Sequence, residues 1–188
     1  KGLDFPEVTL VGVISADTGM HMPDFRASER SFQLLTQVAG RSGRGEQPGE
    51  VVVQTRLPDD PVLLTAAEQD YVAFAERELN ERREAGFPPF GRLLVLRWRG
   101  EGEEVVERVA RGCSDRLMRS LDPSIALLGP SPAPLARLRG AYRWQALLRA
   151  ESARVLRETA RDAWDEMSQL AQRNGVIFTV NVDPLTMM

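Results

Sequence analysis

Cysteine and histidine are nearly missing from this chain of 188 residues, which has one of each, Cys113 and His21. A lone thiol cannot close an internal disulfide and cannot assemble a Cys-rich zinc site. That usage fits a reducing cytoplasm. No apolar run approaches the roughly 20 residues that a membrane helix needs. The opening residues Lys1-Gly2-Leu3-Asp4 lack a methionine and the pattern of a signal peptide, so the chain is expected to be cut from a longer protein. A strong charge of either sign is also lacking. The formal net charge is -3, so any contact with nucleic acid must come from a local patch. What the chain does have is ordinary globular composition, 43% hydrophobic and 27% charged. Its length suits one domain, or a domain remnant followed by a smaller domain.

Val8 to Ile14 is a near-continuous β-branched run and reads as a strand buried on both faces, as in a parallel sheet. A polar loop follows. Phe32, Leu35 and Val38 then recur at helical spacing, with Asp24 or Ser28 as a possible cap. Glycines at 40, 43 and 45 break that helix, and Glu50 to Thr55 reads as a second strand. Strand, helix, strand is a βαβ unit, the kind of which doubly wound parallel sheets are made. Apolar residues at helical spacing between Val62 and Ala85 predict one or two helices ending at Gly86. Phe87-Pro88-Pro89-Phe90 cannot continue a helix, because each proline disfavours the α region for the residue before it. The expected division is therefore 1–57, a helical connector 58–90, and a C-terminal α/β domain 91–188.

That last domain has its own rhythm. Leu93 to Trp98 reads as a strand, and Val105 to Leu121 as an amphipathic helix with an acidic start. A strand follows from Ile125 to about Leu138, then a turn at Arg139-Gly140 and a period-2 strand from Tyr142 to Arg149. Val155 to Leu170 predicts a second helix, with Trp164 on its core stripe beside Val155, Ala160 and Met167. Val176, Phe178, Val180 and Val182 alternate in a last strand. The order β-α-β-β-α-β is the ferredoxin-like, split βαβ pattern. Cys113 falls on the apolar stripe of its helix and is expected to be inert. His21 lies in a polar loop without neighbours of ligand type.

The stretch with most chemistry in it is Gln37-Val38-Ala39-Gly40-Arg41-Ser42-Gly43-Arg44. Two arginines three residues apart at a helix end can reach one anion together. Their charge is permanent, and the guanidinium fork matches phosphate oxygens. Glycines let the backbone approach a phosphate closely. Such arginines act as fingers on a transferring phosphoryl group. On spacing alone, a solvated Gly/Arg loop complementing a helix C-terminus explains the same residues equally well.

Gln37, Gly40, Arg41, Gly43 and Arg44 in that spacing resemble motif VI of superfamily 2 helicases, and Lys1 to Val11 resembles motif V, in the right order. The phrase Phe25 to Arg41 narrows the likeness to the PriA family of bacterial replication-restart DNA helicases (primosomal protein N-prime). Phe87 to Phe90, Leu128 to Ala133, Tyr142 to Gln145 and Asn181 to Pro184 extend it over the whole chain. The family has Tyr where Phe87 stands here. The resemblance implies the end of a RecA-like helicase lobe followed by the C-terminal domain of an ATP-dependent 3′-to-5′ helicase that reloads the replisome at stalled forks. It implies that Gln37, Gly40, Arg41 and Arg44 face ATP, with Arg44 as the finger and Arg41 as its companion, and that Gly2 and Asp4 belong to the nucleotide site; a helix or turn cap is the plainer role for Asp4. ATP and Mg2+ would be bound mainly by an upstream lobe, because neither the phosphate loop nor an acidic magnesium motif occurs here. Zn2+ is expected only in an upstream zinc module. The implied partners are branched and single-stranded DNA, the C-terminal tail of single-strand-binding protein, primosome proteins and the replicative-helicase loader, with no membrane and a cytoplasmic, nucleoid-associated location. The alternative is a non-catalytic, DNA-binding restart scaffold of the same ancestry.

In the C-terminal domain, Arg137, Arg139, Arg143 and Arg149 are interleaved with Tyr142 and Trp144, a mixture that suits single-stranded DNA or an acidic peptide. Alternation puts Arg143 and Gln145 on one face and the two aromatics on the other. Arg139, Arg143 and Gln145 are therefore the candidate contacts for DNA or the partner tail, while the aromatics are expected to pack on the helices. Relatives often carry a basic residue where Ala141 stands, which weakens the expected tail site. Trp98, between Arg97 and Arg99, reads as a stacking platform or, more commonly, as cover for the edge of a sheet.

Overall fold

The computed structural model describes residues 8–40 and 49–187. It separates into two compact units, Lys1–Glu81 and Arg82–Met188. Gly2, Asp4, Arg41 and Arg44 lie outside the described residues.

In the first unit, β1 (Leu10–Val13) pairs in parallel with β2 (Glu50–Val53), in register from Leu10 opposite Glu50 to Val13 opposite Val53. Between them run α1 (Ala16–Met20) and α2 (Ala27–Ala39), and after them α3 (Pro61–Ala67) and α4 (Tyr71–Ala85). The division between units falls inside α4. Phe32 and Leu35 of α2, Val62 and Ala66 of α3 and Phe74 of α4 form the core with Ala16 and Met20. The Phe32 and Phe74 rings stack with centroids 4.1 Å apart. The helix starts are locally encoded. Asp60 accepts the Val62 N–H at 2.8 Å, with Pro61 at the first helical position where its missing N–H costs nothing.

Asp24 and Asp17 tie the connections down. Asp24 does not cap α2 directly. Its buried carboxylate accepts the backbone N–H of Arg26, the N-cap residue, at 3.0 Å and a guanidinium N–H of Arg30 at 3.0 Å. Asp17 accepts the Thr55 hydroxyl at 2.6 Å and the Arg56 N–H at 3.0 Å, joining α1 to the chain that leaves β2. The expectation for β1 needs correcting. Leu10 is 60% and Ile14 84% exposed, so this apolar run is not buried on both faces. A parallel strand is enclosed only when other elements cover both sides of its sheet, and among the described residues this sheet has two strands.

The second unit follows the expected order. β3 (Arg92–Gly100), α5 (Glu103–Ser120), β4 (Ala126–Leu138), β5 (Ala141–Ala150), α6 (Ala153–Arg173) and β6 (Ile177–Val182) form a four-stranded antiparallel sheet in the order β4-β5-β3-β6. Each helix links two strands that have one strand between them, the split βαβ arrangement. Both helices cover one face. Val106, Val109, Ala110, Cys113 and Leu117 of α5, and Leu156, Met167 and Ala171 of α6, pack on Leu94, Leu96, Trp98, Trp144, Ala146 and Leu148. The β4–β5 hairpin turns through Arg139 at φ 50° and Gly140 at φ 80°, the left-handed pair that a two-residue hairpin turn needs. At the entry to the domain, a Cβ on Gly91 would overlap the carbonyl oxygen of Gly86, so only glycine lets the Phe87–Phe90 segment fold back this tightly. Asp183 closes the other end: its N–H donates to Leu93 O at 2.8 Å and its carboxylate meets Arg92 at 3.5 Å.

Two tryptophans depart from expectation. Trp98 is fully buried and offers no platform. Its indole N–H has no hydrogen-bond partner and lies near the Cys113 thiol, whose pKa burial raises more than that N–H lowers it. Trp164 is 42% exposed rather than core, with its ring 5.4 Å from Phe178. The helical spacing is right, but β6 is an edge strand and the ring reaches the border of the sheet.

Candidate functional site

Strand alternation distributes the chemistry of the second unit. Leu94, Leu96 and Trp98 of β3, and Trp144, Ala146 and Leu148 of β5, face the helices. The residues between them therefore share the opposite face: Leu93, Val95, Arg97 and Arg99 on β3, and Arg143, Gln145, Leu147 and Arg149 on β5. The register sets Arg99 opposite Arg143 and Arg97 opposite Gln145. One end of this face is dry, with Leu93, Val95 and Leu147 buried, and the other end is cationic.

The candidate residues divide on this geometry. Arg143 and Gln145 share the open face, as alternation requires. Arg143 is half-buried and reaches Leu135 O at 3.5 Å, a marginal hydrogen bond. Gln145 is half-buried, and its Oε1 is enclosed without a partner. Arg139 is exposed on the hairpin turn and helps to line a cleft of about 710 Å³ with Arg99, Gly102, Gly140, Asn174 and Gly175. Arg149 is committed elsewhere: its guanidinium donates to the carbonyl of Ala85, at the end of α4. The aromatics are also engaged. Tyr142 and Trp144 pack with the helices, Arg137 lies 5.1 Å from the Tyr142 ring, and Arg111 lies 5.3 Å from that of Trp144.

Arg97 is the residue that reading the sequence missed. Its Nε and Nη2 are buried without a hydrogen-bond partner. Burial first, and the Arg143 cation second, lower its pKa. The signal was present in the period-2 run Arg97-Trp98-Arg99, but its meaning depends on which strand lies opposite.

In the first unit, Gln37 is exposed in the last turn of α2, and Gly40 caps that helix in the right-handed region at φ -71°. The arginines that follow are outside the described residues. As for metals, the described residues contain no group of three His, Cys, Asp or Glu side chains able to hold an ion. The single thiol is sealed in the core. No helix among the described residues is long and apolar enough to cross a membrane.

These features define an α/β chain with a parallel-strand unit and an antiparallel domain whose open face is cationic. The family described as "Primosomal protein N C-terminal domain" matches residues 83–185. The chain is 41% identical over 152 residues to a protein of a Synechocystis species, covering 81% of this chain and 18% of that one. It is 36% identical over 188 residues to a Bacillus subtilis protein, covering 100% and 23%, and 40% identical over 188 residues to a Treponema pallidum protein, covering 100% and 28%. All three are named "Replication restart protein PriA". The chain belongs to this replication-restart family, and it spans between 18% and 28% of the length of these relatives.

Proposed function

We propose that this chain works as the C-terminal part of an ATP-dependent 3′-to-5′ DNA helicase that recognises stalled forks and restarts replication. The observation that carries the proposal is that α2, the crossover between two parallel strands, ends in an exposed Gln37 and a Gly40 cap, in a chain similar over its whole length to restart proteins. In sequence, Arg41 and Arg44 follow directly. In this reading Gln37, Gly40, Gly2 and Asp4 belong to the nucleotide site, Arg44 stabilises charge on the departing phosphoryl group, and Arg41 holds its neighbour. The exposed apolar residues Leu10 of β1, Ile14 just after it and Val52 of β2 support it further, because a larger lobe sheet would cover them. ATP and Mg2+ would be held mainly by an upstream lobe, and Zn2+ by a separate upstream module.

Arg139, Arg143 and Gln145 would contact DNA or the acidic tail of single-strand-binding protein, with primosome proteins and the helicase loader as further partners at the nucleoid. The test is DNA-stimulated ATP hydrolysis by the full-length protein. Arg44→Ala should lower turnover by on the order of 10³-fold while DNA binding persists. If the wild type hydrolyses ATP and the variant matches it, Arg44 is not the finger. Wild-type DNA binding without hydrolysis would favour the non-catalytic scaffold instead.

A further inference from the structure

We propose that Arg97, Arg99 and Arg143 together form a receptor for the phosphodiester backbone of single-stranded nucleic acid on the open face of the β3–β5 pair. This rests on the reading that the chain contacts DNA, and it adds the site and the recognised group.

The first reason is that the arrangement is unfavourable without an anion. Arg99 and Arg143 are directly opposite across an antiparallel pair, where like charges repel. Arg97, diagonal to Arg143, has two guanidinium nitrogens withdrawn from water and unpartnered. A buried cation without acceptors is costly. Gln145, opposite Arg97 in the register, also has its Oε1 enclosed without a partner, and a neutral amide could not match the guanidinium charge.

The second reason is clustering. Arg108, Arg119, Arg157, Arg161 and Arg173 also lack a carboxylate, but each stands exposed on a helix where water solvates it. Arg97, Arg99 and Arg143 instead share one face of two neighbouring strands, and the rest of the strand and helix arginines are engaged. Arg92 pairs with Asp183, Arg111 with Glu107, Arg116 with Glu166 and Arg154 with Glu158. Arg137 lies over Tyr142, and Arg149 is bonded to the carbonyl of Ala85. Among the described residues, no carboxylate pairs with Arg97, Arg99 or Arg143, although Glu101 is two residues from Arg99. A chain of net charge -3 has thus gathered three unmatched cations on two neighbouring strands.

The third reason concerns the ligand. One carboxylate fills one guanidinium fork. Three forks spread along two strands are matched by anions that repeat along a chain, which a phosphodiester backbone supplies. The aromatic rings of this hairpin are turned to the helices or covered by arginines, so the face is built for backbone rather than for base stacking.

The experiment uses the 188-residue chain with a labelled oligothymidylate, the same oligomer with a neutral methylphosphonate backbone, and a polyglutamate peptide. Arg97→Gln, Arg99→Gln and Arg143→Gln should each weaken oligothymidylate binding by about tenfold, as expected for losing one charge-assisted contact. Each should also reduce the slope of log affinity against log salt by about 0.7. The methylphosphonate oligomer should bind the wild type and the triple variant equally poorly, and polyglutamate affinity should hardly change. Arg97→Gln should melt at or above the wild-type temperature, because it removes an unmatched buried charge. Wild-type binding that all three variants retain would overturn the site alone. Loss of polyglutamate binding with oligothymidylate binding intact would overturn the phosphate assignment in favour of an acidic protein segment. No wild-type binding to oligothymidylate would overturn both this site and the DNA reading on which it rests. Should Arg97→Gln unfold the domain, the exposed Arg99→Gln still decides.

Discussion

β1 and β3 carry the same kind of sequence, a short unbroken apolar run, and have opposite fates. In β3, Leu93, Leu94, Val95 and Leu96 are at most 2% exposed, while in the first unit Leu10 is 60% and Ile14 84% exposed. The difference is one of surroundings. β3 has β5 on one side and β6 on the other and two helices across its face, whereas among the described residues β1 has a single partner strand. A hydrophobic run states a demand for burial, and whether the demand is met depends on elements elsewhere in the sheet.

The sharpest way to break this comparison is to truncate one leucine in each unit. Leu148, fully buried on β5, should cost about 2–5 kcal/mol as Leu148→Ala. Leu10→Ala should cost no more than about 0.5 kcal/mol. Urea unfolding separates the two, because all three tryptophans, Trp98, Trp144 and Trp164, lie in the second unit. Their fluorescence should follow Leu148→Ala, and far-UV circular dichroism, which also reads the helices of the first unit, should be unmoved by Leu10→Ala. Equal losses would mean that β1 is enclosed in solution.

A smaller effect is expected where the first unit relies on polar ties. The Asp24 carboxylate has no exposed surface and holds both the Arg26 N–H and Arg30. Asp24→Ala should cost about 1–3 kcal/mol, the usual loss when bonds to a charged group are removed. Far-UV circular dichroism should show the helices of the first unit melting earlier while tryptophan fluorescence stays unchanged. A shift in both signals would show that the two units unfold as one.

The order of elements in the second unit was legible because each helix there has one apolar stripe and the strands are set off by turns and prolines, even though Leu93 to Leu96 is dry on both faces. Tyr142 to Arg149 announces its pleat by alternation, and Val106, Val109, Cys113 and Leu117 announce a buried stripe. Register was not legible. Nothing local places Arg99 across from Arg143, so the arginines of β3 looked like mere neighbours of Trp98. Trp164 misled for a related reason: helical spacing shows which side faces the sheet, not where the sheet ends. α1 escaped because five residues containing Gly19 leave no periodicity to read. For the Gln37–Arg44 run, proposed to face a nucleotide, the sequence remains more informative than the structure, since Arg41 and Arg44 fall outside the described residues.

The gentlest test of the comparison is acid. Among the described residues, one aspartate in each unit has its pKa lowered, the half-buried Asp17 chiefly by the Thr55 hydroxyl and the exposed Asp122 chiefly by the Ser124 hydroxyl. A lowered folded-state pKa stabilises the fold above the unfolded value, and that stability is lost as pH falls from there through the folded value. What matters is the difference between the folded and unfolded chain. Asp122 and Ser124 are two residues apart, and such a local bond can persist after unfolding. Asp17 and Thr55 are 38 residues apart, so their bond, at 2.6 Å, exists only while α1 and the end of β2 are held together. The acid-sensitive contribution should therefore belong to the first unit. Lowering the pH from neutral to below the ordinary aspartate value of 3.8 should narrow the gap in melting temperature between wild type and Asp17→Asn, read by circular dichroism. Asp122→Asn, read by tryptophan fluorescence, should keep a nearly constant offset. If the two aspartates behave alike, sequence separation is not what distinguishes them, and Asp17 is held by no more than its local turn.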